Sequence, residues 1–469
     1  PDTEFRHASF GDFVRSVKKS SLALETFQGE LLGGKLHHVL SGVWSARMPL
    51  KQLNERAEST LAGTCEPLLA YAHFLHGRSW PRGLLESTWK GLLQNQPHDS
   101  ICGCSTDPVH REMLPRFASV LETSEQLMRD ALQDLAPTFG TTPAADGGTT
   151  IAVFNPLPLP RQAVVERLVV LQPEFAAEGD AYELLDEDGE AVLFEVVGRE
   201  LVERFWGVDY RMMLGADAQD ARFAAYRAAF GDRILRPDAE RDTADTFLRI
   251  RFLADLPPCG HARFSLRARR DETDTEAIPE AVRVEGSSLD NGIVRVDLHE
   301  DGTLDLLDHR TGCRYPGLGV LRDVGDVGDE YDFSPVPEDE PIVSTGARGS
   351  LAPVDGGGLA GALQASLALR LPARLAQGRQ RRSDEFETCA VTLTVRLEVG
   401  SPLVDLAIQF DNRAEDHRLR VAFPLAIEAE EVVSDGHFVL DRRPIDPPTG
   451  EGWVQPHPGT YPQQAFVAI

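Results

Sequence analysis

The stretch "APTFGTTPAADGG", Ala136 to Gly148, separates two parts of the chain that have different hydrophobic periods, and its reading decides the fold. Pro, Gly, Thr and Asp dominate it, which is the chemistry of a linker. Before it, Leu50, Leu53, Ala57, Leu61, Thr64, Leu68, Ala72 and Leu75 recur at steps of three and four. That is the period of an amphipathic helix, and Gly77 follows as a stop signal. A second helix carries Leu85, Trp89 and Leu92 on one face and must end before Pro97. A third opens at Asp107-Pro108, read as a side-chain cap followed by proline at the first helical position. Its stripe is Met113, Phe117, Leu121, Met128, Leu132 and Leu135, and Pro115 should kink it. Three such helices with short links predict a three-helix bundle.

After the linker the period falls to two. In "AVTLTVRLEVG", Val391, Leu393, Val395, Leu397 and Val399 take one face, while Thr392, Thr394, Arg396 and Glu398 take the other. "LVDLAIQFDN" and "FLRIRFLADL" alternate likewise, and "IVRVDLHEDGTLDLLD" reads as a hairpin turning at Asp301-Gly302. The predicted class is multidomain α+β, a three-helix bundle followed by all-β sandwich domains. The bundle spans 43–137, the linker 138–149, a small β domain 150–270 and a large β-sandwich domain 285–469. Residues 1–42 offer a short helix near Phe10 to Lys19 and a strand near Leu22 to Phe27, too little for a domain. Pro1 at one end and the interrupted apolar run "QQAFVAI" at the other suggest a piece of a longer protein.

A net charge of −27 repels phosphate backbones and anionic lipid, so neither nucleic acid nor a membrane surface is an expected partner. No run of eighteen apolar residues is present to span a bilayer. Six scattered cysteines fit reduced thiols in the cytoplasm. Homo-oligomerisation stays open.

Candidate chemistry concentrates in "QNQPHDSICGCSTDPVHREM", Gln94 to Met113. His98 and Asp99 sit in the loop between the second and third helices, with Pro97 fixing the approach and Gly103 permitting the exit. A neutral imidazole suits zinc, and a neighbouring carboxylate suits orientation of the ring or sugar hydroxyls. A catalytic zinc needs about three protein ligands, and this loop supplies one. A hydrogen-bonded loop histidine is therefore the competing reading. Cys102 and Cys104 read as packing residues, and His110 and Glu112 as helix surface or capping. His37 and His38 read as a solvated loop, and "RLAQGRQRR" (Arg374 to Arg382) as a solvated hairpin tip. "DVGDVGDEYDFSP", Asp323 to Pro335, is a turn-forming loop with one tyrosine, Tyr331.

These motifs together resemble the α-mannosidases of glycoside hydrolase family 38, in their bacterial, cytosolic-type form. "NQPHDSICGCSTDPVHREM" is similar to the family's histidine–aspartate signature. "QGELLGGKLHHVLSGVWSARMPLKQLNERAE", "AVFNPLPLPR", "LDNGIVRVDLHEDGTLDLLDHRTG", "GDEYDFSP" and "DNRAEDHRLRVAFPL" follow in the family's order, so the resemblance covers nearly the whole chain.

The resemblance implies zinc-dependent, retaining hydrolysis of an α-mannoside or oligosaccharide. His98 would be one zinc ligand, and Asp99 and Tyr331 would bind the sugar. Gly29, Glu30 and "HHVLSGVWSAR" would lie near the site, with Leu40 where some members carry an aromatic platform. The nucleophile and the remaining ligands would come from an upstream α/β catalytic domain, of which 1–42 would be the tail. The chain alone is then expected to be inactive and to bind zinc weakly. A mannosylglycerate-type hydrolase and a non-catalytic carbohydrate-binding or structural module are the alternatives.

Overall fold

The computed structural model describes residues 5–20, 22–24, 26, 34–139, 149–171, 182–203, 244–269, 278 and 281–469. They fall into two compact units, one drawn from Pro1–Ser41 with Glu428–Ile469 and the other from Gly42–Ile427. The architecture is multidomain α+β, with helices before about residue 135 and antiparallel sheets after it.

In the larger unit, helix α2 (Met48–Thr60) runs through a π turn (Leu61–Cys65) into α3 (Glu66–His76). Pro67 explains the π turn. It has no N–H to donate and its ring would press on the carbonyl four residues back. The backbone widens instead, and the Glu66 N–H donates to the Leu61 carbonyl. Beyond the π turn Leu68, Leu69 and Ala72 are buried, while Leu75, in the last turn, is exposed rather than in the predicted stripe. Gly77 ends the helix at φ +71°.

Helix α4 (Arg82–Leu93) and α6 (Asp107–Leu135) complete the bundle around Leu61, Leu92, Met113, Phe117 and Leu135. Helix α6 continues unbroken through Pro115. Its N-cap is Thr106 without a side-chain hydrogen bond, so the expected Asp107 cap is corrected. Asp107 lies inside the first turn and pairs with Arg47 at 2.7 Å. Ala136–Phe139 continue as a turn that buries Phe139 on the bundle. The remainder of the predicted linker lies outside the described residues.

The bundle rests on strand Thr149–Asn155 through Ala152 and Phe154, and the Tyr71 hydroxyl meets His261 Nδ1 at 3.2 Å. That strand pairs with Gly260–Ala268, which pairs with Tyr182–Leu185. A second three-stranded sheet, Arg161–Leu171, Ala244–Leu256 and Phe194–Glu203, shares its core. Next come a five-stranded sheet, from Arg283–Glu285 to Arg314–Leu318, and a four-stranded one, from Gly349–Gly356 to Asp405–Phe410. They close on one core, in which Val296 and Leu298 face Leu363, Leu393, Val395 and Leu397. The hairpin predicted at Asp301-Gly302 is present, with Gly302 at φ +80°. Arg251, 4% exposed, joins the two β regions. It pairs with Glu166 at 3.0 Å, Glu195 at 2.8 Å and Asp355 at 2.6 Å.

A further sheet, Ile342–Val343, Val320–Gly325 and His417–Ala422, carries the Tyr331 loop on its central strand.

In the smaller unit, helix α1 (Phe10–Lys19) forms as predicted, with Ser9 and Asp12 making a capping box. Of the strand expected near Leu22 to Phe27, the described residues Leu22–Leu24 and Thr26 have no regular structure, and Glu25 and Phe27 lie outside the described residues. Strands Val439–Pro444, Glu431–Gly436 and Val467–Ala468 form a sheet. Gln455 ties 34–39 to it, its Oε1 accepting from the Val39 N–H at 2.6 Å and its N–H donating to the Gly34 carbonyl at 3.0 Å.

Candidate functional site

His98 and Asp99 open a five-residue helix, α5 (His98–Cys102), rather than lying in a loop. Pro97 takes an extended conformation before it, and Gly103, at φ +93°, ends it. Both bounds are as predicted. Their side chains point outward: His98 is 90% exposed and Asp99 65%, with His98 Nε2 3.3 Å from Asp99 Oδ1.

The helix is held from beneath. Lys51 Nζ donates to the carbonyls of Ala46 (2.6 Å), Ile101 (2.8 Å) and Cys102 (3.3 Å). A cation at a helix C-terminus is favourably placed, while burial pushes the Lys51 amine below its ordinary range. Arg47 adds a bond from Nε to the Gly103 carbonyl at 3.1 Å, and its guanidinium holds the Asp107 carboxyl below the usual range.

Tyr331 arrives from a loop more than two hundred residues away. Asx turns shape that loop: Asp326 Oδ1 accepts from Gly328 and Ser334, and Asp329 Oδ1 accepts from Tyr331 and Asp332. The Gly42 N–H donates to the Tyr331 carbonyl at 2.8 Å. A Cβ at Gly42 would lie 2.8 Å from that oxygen, so only glycine permits this approach. Cys104 completes the junction. Its thiol lies 3.7 Å from Asp99 Oδ1, and the same neighbouring thiol is the main cause holding the Tyr331 hydroxyl above its ordinary range. The structure thus brings Asp99 and Tyr331 together through Cys104, with His98 at the edge.

Three readings are corrected. Cys104 is not packing alone, since it bridges two candidate sugar ligands. His110 is 5% exposed, not surface; neither ring nitrogen makes a well-formed hydrogen bond, the Ser100 backbone being only a weak partner. Glu112, by contrast, is a surface residue paired with Arg116 at 3.0 Å. The tip of the Arg374 to Arg382 hairpin is solvated as expected, but its last residue, Arg382, is a buried ion. Arg382, 9% exposed, pairs with Asp323 (2.6 Å) and Asp339 (2.8 Å), and His417 Nδ1 meets Asp323 at 2.5 Å. Asp339 also accepts from the Gly325 N–H at 2.7 Å, so this network anchors the root of the Tyr331 loop. His37 and His38 are exposed, as expected. Gly29 and Glu30 lie outside the described residues.

Among the described residues no three His, Cys, Asp or Glu side chains are grouped to hold a metal. An exposed imidazole at His98 fits the contribution of one zinc ligand and no more. No helix among them is long and apolar enough to cross a membrane.

The comparisons agree with the order of these elements. Residues 38–135 match the family model "Alpha mannosidase middle domain", and 289–469 match "Glycosyl hydrolases family 38 C-terminal domain". A Halalkalibacterium halodurans protein named "Putative mannosylglycerate hydrolase" is 27% identical over 467 residues, covering 95% of this chain and 50% of the relative. The crystal structure of an alpha-mannosidase from Enterococcus faecalis V583 superposes with a TM-score of 0.76 at 25% identity, over 99% of this chain and 52% of that one. A second Enterococcus faecalis structure, of a glycosyl hydrolase family 38 protein, shares the fold at 24% identity, with a TM-score of 0.74 over 95% and 51%. The chain spans about half the length of the relatives it matches. Two matched models of one family, in the family's order and joined by an alignment over nearly the whole sequence, show that the chain belongs to glycoside hydrolase family 38.

Proposed function

We propose that this chain supplies the helical and β portions of a cytoplasmic, zinc-dependent, retaining α-mannosidase. The observation that carries this is the junction of Asp99 and Tyr331 through Cys104, beside an imidazole left open to solvent. An ionised carboxylate accepts hydrogen bonds from sugar hydroxyls, and a phenol can donate or accept one. Asp99 therefore orients substrate hydroxyls while Tyr331 closes over the sugar from the β side. Lys51 and Gly42 act indirectly, by fixing α5 and the Tyr331 backbone. His98 would hold the metal with ligands from outside the described residues. Bound zinc supplies Lewis-acid polarisation and a clamp for sugar hydroxyls.

A mannosylglycerate-type substrate is the second reading, and the name of the Halalkalibacterium relative favours it. The test is zinc content and α-mannoside turnover of the full-length protein. His98→Ala should lower bound zinc and abolish activity. Asp99→Asn should keep the metal and raise KM by roughly 10–100-fold, the value of a charged hydrogen bond. Unchanged zinc in His98→Ala would refute the ligand assignment.

A further inference from the structure

The solvated tip of the Arg374 to Arg382 hairpin has an unusual backbone. Its two sides meet at Leu375 and Arg382, and the Ala376 N–H donates to the Arg381 carbonyl at 2.9 Å. The turn between them needs two left-handed residues in succession, Gly378 at φ +89° and Arg379 at φ +56°. Glycine takes that conformation freely, whereas a residue with a Cβ adopts it uncommonly. Asp416, just before strand His417–Ala422, is left-handed too, at φ +52°. These two strained residues are partners, with Arg379 Nη1 donating to Asp416 Oδ1 at 3.2 Å. Strain of this kind persists where surrounding contacts over-determine it, and it gathers around functional sites.

The contacts lead to the Tyr331 loop. From the same guanidinium, Nη2 donates to the Gly328 carbonyl at 3.4 Å. Asp416 reaches the loop as well, its carbonyl accepting from the Asp326 N–H at 2.8 Å. Its Oδ2 turns back to the hairpin and accepts from the Leu375 N–H at 3.3 Å. The loop itself is a narrow tongue, in which Asp326 bridges to Pro335 and the Val327 N–H donates to the Ser334 carbonyl at 2.8 Å. Arg382 and Asp339 fix its root at Gly325, and the Gly42 N–H holds it at Tyr331. Arg418, stacked on the Phe333 ring 4.6 Å from its centre, steadies the returning side. Gly328 lies on the outgoing side, where a Cβ would fall on the Asp332 carbonyl, so any shift of Gly328 is passed across the tongue toward Tyr331. We propose that Arg379 is a positioning residue for the sugar site, setting where the Tyr331 hydroxyl stands by tying the Gly328 carbonyl to Asp416. This rests on the reading of Tyr331 as a sugar ligand given above. The Arg379 side chain is 50% exposed, so its bonds are screened and add little to overall stability. Its effect belongs to the loop and not to the fold.

The test uses the full-length protein and its Arg379→Gly variant. Glycine keeps the left-handed turn and removes only the guanidinium, so the thermal midpoint should change little. KM for methyl α-mannoside should rise by roughly 2–5-fold, the scale of an exposed charged pair, with kcat within about twofold. Arg379→Lys keeps a charge beside Asp416 but lacks the second prong, and should recover part of the loss. In a Tyr331→Phe background, Arg379→Gly should change KM by less than about 1.5-fold, because no hydroxyl is left to position. An unchanged KM in the single variant, or the same rise with and without the Tyr331 hydroxyl, overturns the proposal. Amide hydrogen exchange reads the loop without turnover. Exchange across 327–334 should quicken by at least about threefold in Arg379→Gly while the four-stranded sheet stays protected. Unaltered exchange there overturns the positioning role. Quickened exchange in a protein that turns over no mannoside upholds the tie to the Tyr331 loop and counts against the mannosidase reading alone.

Discussion

Replacing Arg382 by Met should be among the most damaging single changes in the β region. The guanidinium is 9% exposed and donates three hydrogen bonds, one to Asp323 and two to Asp339. Without it, among the described residues Asp323, 1% exposed, keeps His417 alone, and Asp339 keeps the Gly325 N–H alone. Breaking a buried pair from one side costs about 3–5 kcal/mol, because a charge is left buried and unpaired. Spread over a region of this size, that lowers the thermal midpoint by on the order of 10 °C. Scanning calorimetry of Arg382→Met measures it. Arg382→Met/Asp323→Asn/Asp339→Asn, which removes the charges together, should recover most of the loss, since a complete apolar or neutral replacement is often tolerated. A single variant within about 2 °C of the parent, or a triple variant worse than the single, would refute the view that uncompensated charge is the cause.

Gly42→Ala puts a methyl 2.8 Å from the Tyr331 carbonyl and 2.9 Å from the Asp332 nitrogen, both backbone atoms that cannot swing aside. It should raise KM for α-mannosides with little change in bound zinc, and an unaltered KM would show that the Tyr331 loop is positioned by other contacts. His110→Leu should be neutral or stabilising by about 1–3 kcal/mol at neutral pH, since it removes polar atoms that lack good partners. The sign of its pH effect follows from burial. With the folded pKa below the ordinary 6.5, the unfolded chain binds the proton that the native state rejects. Stability therefore falls as pH drops through 6.5 and levels off below the folded value. Thermal midpoints at pH 7.5 and 5.5 should show this loss in the parent and not in His110→Leu.

Periodicity made most of the fold legible. The stripes through Leu50 to Ala72 and Met113 to Leu135, apart from Leu132, which is exposed, and the alternation of Val391 to Leu397 correspond to buried faces. Its errors are local and physical. Leu75 was misplaced because it falls in the last turn before the Gly77 cap, where the helix has left the bundle core. Arg382 reads as solvated because a charge run carries no mark of the two aspartates that the fold sets against one member. The proposed site was read from His98, Asp99 and Tyr331 through the family resemblance, but their junction was not. Cys104 and Gly42 matter through contacts with a loop far along the chain, and single-residue chemistry does not encode such partners.

The bond from the Val39 N–H to the Gln455 side chain spans 416 residues. Chains emerge from the ribosome at about 5–20 residues per second, so residues 34–39 wait roughly 20–80 s for their sheet partner to be made. Until then the backbone at 34–39 lacks this partner, and slower translation should lengthen the interval in proportion.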